Sequence, residues 1–380
     1  MPFNPLNPFE SILFLSALYY AGTLFYFTFG LSKKDNQPKN INTPPVSVII
    51  AVRNGEKNIK RLLNALKKQT YKGEMEFIIV DDDSIDKTFE IIHDFVQIDS
   101  RFKYFSSKNG NSKLAFKKRA LDSGIKNAQY DRLLFTDIDC IIQDLWVEAM
   151  ISDFTDETDY LIGYSEVIDA TTFASKFQKT DFFMLLSAAR GMVNNKSAWA
   201  CSGQNQAYLK SLYNTVGGFS KISEQLQGDD SLFLLLCRKT KNINVNFATS
   251  PESFVISRSE LTWRTFLNQR IRWAGDSKVF WKFNIPFYIT SITTFLLNIG
   301  IIVAPIIFGI STFNSLWFIN ILLLKFIAEF ILLTKGGQAF DRQFSILNFL
   351  QWFIIQPIYV VVVSLGSILN INYAWQGRRR

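Results

Sequence analysis

The chain has 380 residues, of which 48% are hydrophobic and 15% aromatic, and its formal net charge is +8. This composition excludes a disordered or fibrous chain, and the concentration of apolar residues near the N-terminus and in the C-terminal quarter disfavours an ordinary cytosolic enzyme. The basic balance suits a membrane surface or an anionic substrate, while three scattered cysteines and a single histidine disfavour a disulfide framework and exclude a multi-histidine metal site.

The first predicted element is a transmembrane helix over residues 11–31. No charge occurs from Ile12 to Leu31, and the basic pair Lys33-Lys34 follows. About 20 apolar residues span a bilayer, and a basic cluster directly after them marks the cytoplasmic flank. A cleaved signal peptide is the alternative, and it fits poorly because Glu10 stands where a basic segment would precede the apolar run.

Residues 44–260 are predicted to form one α/β domain. Short β-branched or aromatic runs alternate with segments of helical periodicity. The predicted strands are 46–52, 77–80, 102–105 and 133–136, and the predicted helices are 58–69, 85–98 and 113–127. This alternation predicts a mostly parallel, Rossmann-like sheet whose ligands bind at the carboxyl ends of the strands. No glycine-rich dinucleotide or P-loop motif occurs.

Acidic residues follow two of these strands. Asp81 and Asp82 come after the second strand, and Asp137 and Asp139 come after the strand that ends at Thr136. On an extended segment, residues two apart point the same way, so Asp137 and Asp139 form a candidate site for Mg²⁺ or Mn²⁺ bridging a nucleotide diphosphate. A solvated turn is the alternative for Asp137 and Asp139, and an acidic helix cap is the alternative for the cluster that contains Asp81 and Asp82.

A third acidic pair, Asp229-Asp230, precedes an apolar helix that begins near Leu232. Either carboxylate is a candidate general base at a helix start, and an N-cap is the alternative role.

Residues 261–283 are predicted to form an amphipathic interfacial helix. Gln269, Arg272 and Trp273 share one of its faces, because they are three and four residues apart. An arginine there can neutralise a leaving diphosphate, and a tryptophan can stack on a ligand ring.

Three further transmembrane helices are predicted over residues 286–309, 316–334 and 347–369. Lys325 and Glu329 lie on one face of the second, where they can pair. With all four spans, Arg378–Arg380 would lie outside, against the positive-inside tendency. A re-entrant or interfacial segment in place of one span is the alternative, and the sequence leaves both topologies open.

Taken together in chain order, these motifs resemble the membrane-anchored glycosyltransferases of family 2, which carry a GT-A domain. The matching segments are 46–54, 80–84, 136–140, 217–219, 228–230 and 269–273. The last matches the QxxRW pattern of cellulose and hyaluronan synthases and of ceramide glucosyltransferases.

The resemblance implies roles for individual residues. Asp81 and Asp82, with the turn from Val52 to Asn54, would bind the uracil end of a UDP-sugar. Asp137 and Asp139 would be the DxD pair that holds the metal ion. Gln269, Arg272 and Trp273 would contact the donor and its leaving group.

Two departures from the family pattern concern the acidic motifs. Asp83 stands where the family usually has glycine. Gly228 replaces the glutamate of the usual ED pair, so Asp229 is the expected base and Asp230 is the alternative.

The sequence thus predicts an inverting glycosyltransferase of a bacterial-type inner or plasma membrane, with its catalytic domain in the cytoplasm. It would move a sugar from a nucleotide-sugar, expected to be a UDP-sugar, to a hydroxyl of a membrane lipid or lipid-linked glycan. A processive polysaccharide synthase is the alternative in the same class, and a non-catalytic membrane transport or binding protein is the alternative in another. Nucleic-acid binding is disfavoured because the basic residues are scattered.

Overall fold

The computed structural model describes residues 8–33, 39–168, 170–225, 227–312 and 315–369, so the topology question raised by Arg378–Arg380 lies outside the described residues. The described chain groups into two compact units. We call residues 39–168 and 196–259 the sheet unit, and residues 8–33, 170–195 and 260–369 the helical unit.

The strands are β1 (Val46–Val52), β2 (Met75–Asp81), β3 (Phe102–Ser106), β4 (Arg132–Thr136), β5 (Tyr160–Ile162), β6 (Ser165–Ile168), β7 (Asn205–Leu209), β8 (Val245–Phe247) and β9 (Val255–Arg258). The helices are α1 (Pro8–Leu31), α2 (Ile59–Lys67), α3 (Thr88–Ile98), α4 (Phe116–Asn127), α5 (Trp146–Asp153), α6 (Phe173–Asn194), α7 (Lys210–Val216), α8 (Ser231–Thr240), α9 (Trp263–Ala274), α10 (Ile285–Thr312), α11 (Ser315–Phe340) and α12 (Ile346–Ile368).

A seven-stranded sheet in the order β3-β2-β1-β4-β7-β5-β8 forms the centre of the sheet unit. Strands β1 to β4 pair in parallel, β7 runs antiparallel to both of its neighbours, and β6 and β9 form a separate parallel pair. Val48, Ile49 and Ile50 of β1 are fully buried, as expected for a central strand covered on both faces. The prediction of a mostly parallel α/β sheet is confirmed. The antiparallel β7 in its middle was not predicted.

Helices cover this sheet because each presents an apolar stripe. In α2, for example, Ile59, Leu62, Leu63 and Leu66 are buried, while the polar Lys60 and Asn64 between them are exposed. Because β1, β2, β3 and β4 pair in parallel, their carboxyl ends lie at one edge of the sheet.

The helical unit contains four helices that are long and apolar enough to cross a membrane: Pro8–Leu31, Ile285–Ile306, Leu316–Phe340 and Ile346–Ile368. Helix α10 ends at Thr312 and α11 begins at Ser315, and Pro305 lies inside α10. The segment predicted as one interfacial helix is α9 followed by a 3₁₀ helix, Gly275–Lys282.

Helix α6 interrupts the sheet unit in sequence and belongs to the helical unit, although the sequence reading included it in the 44–260 domain. It packs on α1, where Asn194 Nδ2 donates to Gly30 O (3.1 Å) and Asn195 Nδ2 donates to Tyr26 O (2.7 Å). Neither Gly30 nor Gly191 has room for a side chain at this crossing. The two helices therefore approach through backbone contact.

A buried ion pair within α11 is hydrogen-bonded to a tyrosine of α1. Lys325 Nζ lies 2.7 Å from Glu329 Oε1, and Tyr20 Oη of α1 donates to the same oxygen at 2.7 Å. The predicted pairing of Lys325 with Glu329 is thus confirmed. Mutual neutralisation lowers the cost of holding both charges in an apolar bundle.

Candidate active site

The predicted donor-binding residues lie at the carboxyl ends of β1 and β2. Val52 and Asp81 end the two strands and are paired in register, and Asp82 N donates to Val52 O at 2.8 Å. Asp81 and Asp82 are both buried. Burial raises the pKa of Asp81, and Ser84, whose backbone N–H donates to its carboxylate, partly offsets this effect.

Hydrogen bonds connect the turn after β1 with the turn after β2. Arg53 Nη1 donates to the carbonyls of Asp82 (2.5 Å) and Asp83 (3.0 Å), and Asn54 Oδ1 accepts from Ile85 N at 3.0 Å. Asp83 has φ +55°, the left-handed region in which glycine is favoured and aspartate is among the better tolerated alternatives. This conformation explains why the family pattern has glycine at this position. In this chain an aspartate adopts it.

The two DxD carboxylates follow β4. Asp137 is half-buried and Asp139 is exposed, with Arg61 Nη2 donating to the Asp139 carbonyl at 3.0 Å. Desolvation by surrounding protein atoms and the charge of Asp137 raise the pKa of Asp139, although the residue keeps contact with solvent.

Lys117, in the first turn of α4, connects two of the acidic motifs. Its Nζ lies 2.8 Å from Asp137 Oδ1 and 2.9 Å from Asp229 Oδ2. Burial opposes its charge, but the two carboxylates prevail and raise the pKa of Lys117 above its usual value. Sequence reasoning missed this residue. The available signal was a pair of lysines, Lys117-Lys118, where a helix meets the strand ends.

The neighbouring Asp229 and Asp230 point to different partners. Asp229 is buried against Lys117, whereas Asp230 caps α8, accepting from Ser231 N (2.5 Å) and Gly203 N (3.3 Å). Burial and the charge of Asp229 raise the pKa of Asp230 to about 6. Gly228, just before them, has φ +100°, a conformation that a glutamate at this position would adopt only with strain.

The loop that leads to Asp229 is fastened by the second lysine of the pair. Lys118 is almost fully buried, and its Nζ donates to the carbonyls of Ile222 (2.5 Å) and Gln225. Helix α4 therefore supplies two cations to the site. Lys117 pairs with the carboxylates, and Lys118 binds the backbone of the segment before Asp229.

The QxxRW residues lie on α9, in the helical unit. Gln269 Oε1 accepts from Gln178 Nε2 at 3.4 Å, and the ring of Trp273 lies 4.3 Å from the guanidinium of Arg270. Arg270 is buried and pairs with Asp181 at 3.2 Å. Because α9 and the acidic motifs belong to different units, joint action of Gln269, Arg272 and Trp273 with the carboxylates stays a prediction.

Asp137 and Asp139 suit a hard divalent cation whose remaining coordination positions are filled by oxygens of a ligand. Among the described residues no group of three or more acidic, histidine or cysteine side chains is close enough to hold a metal ion. Asp137 and Asp139 offer two carboxylates at a solvent-accessible strand end, and a cation, the Lys117 ammonium, already lies on Asp137. Mg²⁺ and Mn²⁺ accept such partial protein shells when phosphate oxygens complete them.

Comparison with known families gives matches over most of the chain. The model of the "Glycosyl transferase family 2" matches residues 47–217, and that of the "Glycosyl transferase family group 2" matches residues 139–334. The probable glycosyltransferase YdaM of Bacillus subtilis is 23% identical, over 96% of this chain and 93% of its own length. A poly-beta-1,6-N-acetyl-D-glucosamine synthase of Staphylococcus epidermidis is 30% identical over 37% of this chain and 34% of its own length.

A solved structure shares the fold. The mannosyltransferase PcManGT of Pyrobaculum calidifontis, in complex with GDP-Man and Mn²⁺, aligns with a TM-score of 0.61 and 16% identity. The alignment covers 96% of this chain and 99% of that one. At this identity the likeness shows the fold alone.

Proposed function

Because this chain belongs to the glycosyltransferases of family group 2, we propose that it transfers a sugar from a nucleotide-sugar to a hydroxyl of a membrane lipid or lipid-linked glycan, with inversion. The observation that carries this proposal is the convergence of Asp137 and Asp229 on Lys117 at the carboxyl edge of the sheet. A carboxylate suited to the leaving group and a carboxylate suited to the acceptor are thereby held within reach of one site.

The donor's nucleoside would lie against the turns after β1 and β2. Asp82, Val52 and Asn54 line these turns, and the bonds from Arg53 to the carbonyls of Asp82 and Asp83 fix their shape before the donor arrives. We propose uridine as the base on the family resemblance. The similar mannosyltransferase binds GDP-Man, so guanosine is the alternative to test.

Asp137 and Asp139 would hold Mg²⁺ or Mn²⁺, which when bound supplies positive charge to the diphosphate oxygens. Asp229 would take the proton of the acceptor hydroxyl as its oxygen bonds to the anomeric carbon. The bond from that carbon to the phosphate oxygen breaks, and the nucleoside diphosphate leaves with the electron pair. Arg272 would add positive charge to the leaving group.

The side-chain partners support Asp229, and not Asp230, as the base. The carboxylate of Asp230 accepts two backbone N–H groups at the start of α8, while that of Asp229 faces Lys117 and the DxD motif. Proton transfer by a positioned base typically contributes about 10²–10⁴-fold to a rate. We expect a loss of that order in Asp229→Asn.

A screen of nucleotide-sugars tests the activity. Membranes containing the full chain are incubated with UDP-sugars and GDP-sugars, with Mn²⁺ or with a chelator, and released nucleoside diphosphate and labelled lipid are measured. We expect release from one donor class only, and only with the metal. No release from any donor would favour the non-catalytic alternative.

A processive polysaccharide synthase is the second candidate, supported by the partial similarity to the Staphylococcus synthase and by the QxxRW pattern. The four apolar helices found among the described residues are few for a polymer pore, which supports single transfer. Sizing the labelled product separates the two, because single transfer gives one added sugar and processive synthesis gives long chains.

We propose that the sheet unit faces the cytoplasm, where nucleotide-sugars are made. The basic flank after α1, including Lys33, supports this orientation. In a Cys201→Ser background, which removes the one half-buried native thiol among the three, Ser112→Cys places a thiol at an exposed position, and the remaining Cys140 and Cys237 are buried. We expect protection from an impermeant thiol reagent in intact cells and labelling after lysis. Labelling without lysis would contradict the orientation.

A further inference from the structure

One ammonium group serves two motifs that have separate tasks in the proposed reaction. Lys117 Nζ is within hydrogen-bond distance of Asp137 Oδ1 (2.8 Å) and of Asp229 Oδ2 (2.9 Å). Gly203 lies beside this contact, since a Cβ on it would be 3.3 Å from this Nζ and 3.4 Å from that Oδ2. The geometry is that of a built site for one cation.

The ammonium has an electrostatic reason to be there. The side chain of Asp229 is only 8% exposed and that of Asp137 28%, so water screens their mutual repulsion poorly. With Lys117 between them, the two carboxylates share a positive charge, and each keeps a charge-assisted hydrogen bond.

The same contacts hinder both carboxylates in their proposed work. While Asp137 is bound to Lys117, one of its oxygens is withheld from a divalent cation. While Asp229 is bound to Lys117, its Oδ2 is withheld from an acceptor hydroxyl. In the donor-free site the ammonium therefore offsets part of the negative charge and occupies one oxygen of each carboxylate.

We propose that Lys117 is the counter-ion of the donor-free site, which the donor diphosphate and its divalent cation displace, so that donor binding uncovers the base Asp229. This inference rests on the proposed function. Asp137, released from the ammonium, would then hold the divalent cation together with Asp139, and Lys117, still in the site, would pair with the diphosphate. Asp229 is released only when a donor is present, which orders donor binding before acceptor activation.

The proposal makes two predictions of opposite sign for Lys117→Met, which keeps a long unbranched side chain without the charge. Without nucleotide, Mn²⁺ should bind more tightly, by about tenfold or more, because a competing positive charge a few ångströms away is gone. With saturating Mn²⁺, UDP or GDP should bind more weakly, by about tenfold, because the diphosphate loses a cationic partner.

The experiment uses the purified full chain in detergent. Mn²⁺ binding is measured by electron paramagnetic resonance without nucleotide, and binding of UDP and of GDP is measured by calorimetry with Mn²⁺ present. Lys117→Arg retains the charge and should stay near the wild type in both. Lys126→Met is the matched control, because Lys126 lies on the same helix and pairs with Asp122 at 2.7 Å. It should change neither affinity.

A tighter Mn²⁺ site together with weaker nucleotide binding supports the inference. Unchanged or weaker Mn²⁺ binding in Lys117→Met overturns it, and so does unchanged nucleotide binding. If Lys117→Met lowers the melting temperature, Lys117→Gln repeats the measurement with a neutral side chain that still donates to the carboxylates. Failure of the wild type to bind either nucleotide would count against the proposed function itself, which keeps the two failures distinct.

Discussion

Replacing Asp230 by asparagine separates the two neighbouring carboxylates of the base motif. The carboxylate of Asp230 caps α8 through Ser231 N and Gly203 N. Asparagine has the same shape, is an equally good N-cap and retains an oxygen that accepts from the same N–H groups. The change therefore removes a charge and leaves the cap in place.

The size and sign of the effect follow from the pKa. Burial and Asp229 raise the pKa of Asp230 from 3.8 to about 6, so the folded chain holds the proton more tightly than the unfolded chain. Stability from this group is fully present below pH 4 and falls as the pH rises to about 6. At about 1.4 kcal/mol per pKa unit the full cost approaches about 3 kcal/mol. Partial solvent contact reduces this to about 1–2 kcal/mol.

Thermal unfolding of the purified chain in detergent, measured from pH 4 to pH 8, provides the assay. Asp230→Asn should match the wild type near pH 4 and melt a few degrees higher above pH 6. It should also retain far more transfer activity than Asp229→Asn. A lower melting temperature for Asp230→Asn at pH 7, or a loss of activity as deep as that of Asp229→Asn, would refute the assignment of cap and base.

Two further predictions concern other parts of the chain. Asp139→Asn should remove most transfer activity and raise the Mn²⁺ concentration that the remaining activity requires. The melting temperature should not fall, because the side chain of Asp139 is exposed. Full wild-type activity in the presence of a chelator would contradict the metal-binding role. Arg270→Met leaves Asp181 buried without its cation and should cost about 3–5 kcal/mol of stability, seen as a lower melting temperature in detergent. The double variant Asp181→Asn/Arg270→Met should recover most of that loss, and an unchanged melting temperature in the single variant would contradict the role of the pair.

The parts of the fold that could be predicted are those that local pattern determines. The sequence predicts the buried strand Val46–Val52 because β-branched runs form central strands. It predicts a common location for the acidic residues after β2 and β4 because parallel strands end at one edge of the sheet. The four apolar helices are readable from length and charge alone.

The missed features depend on contacts between distant segments. Nothing near Lys117 in sequence shows that its ammonium meets Asp137 and Asp229, which come from other elements. The different directions of Asp229 and Asp230 depend on the backbone after Gly228, where Asp230 has φ −120° and ψ −102°. Helix α6 has the composition of either unit, and only its packing on α1 assigns it.

The central claim is that Asp229 deprotonates an acceptor hydroxyl at a site where Asp137 and Asp139 hold the donor's cation. The most direct test measures transfer of labelled sugar to membrane lipid by the wild type and by Asp229→Asn, alongside nucleotide binding by both. The account predicts nucleotide affinity within a few fold of wild type and a loss of transfer of about 10²-fold or more in Asp229→Asn. Transfer by Asp229→Asn at the wild-type rate would contradict it.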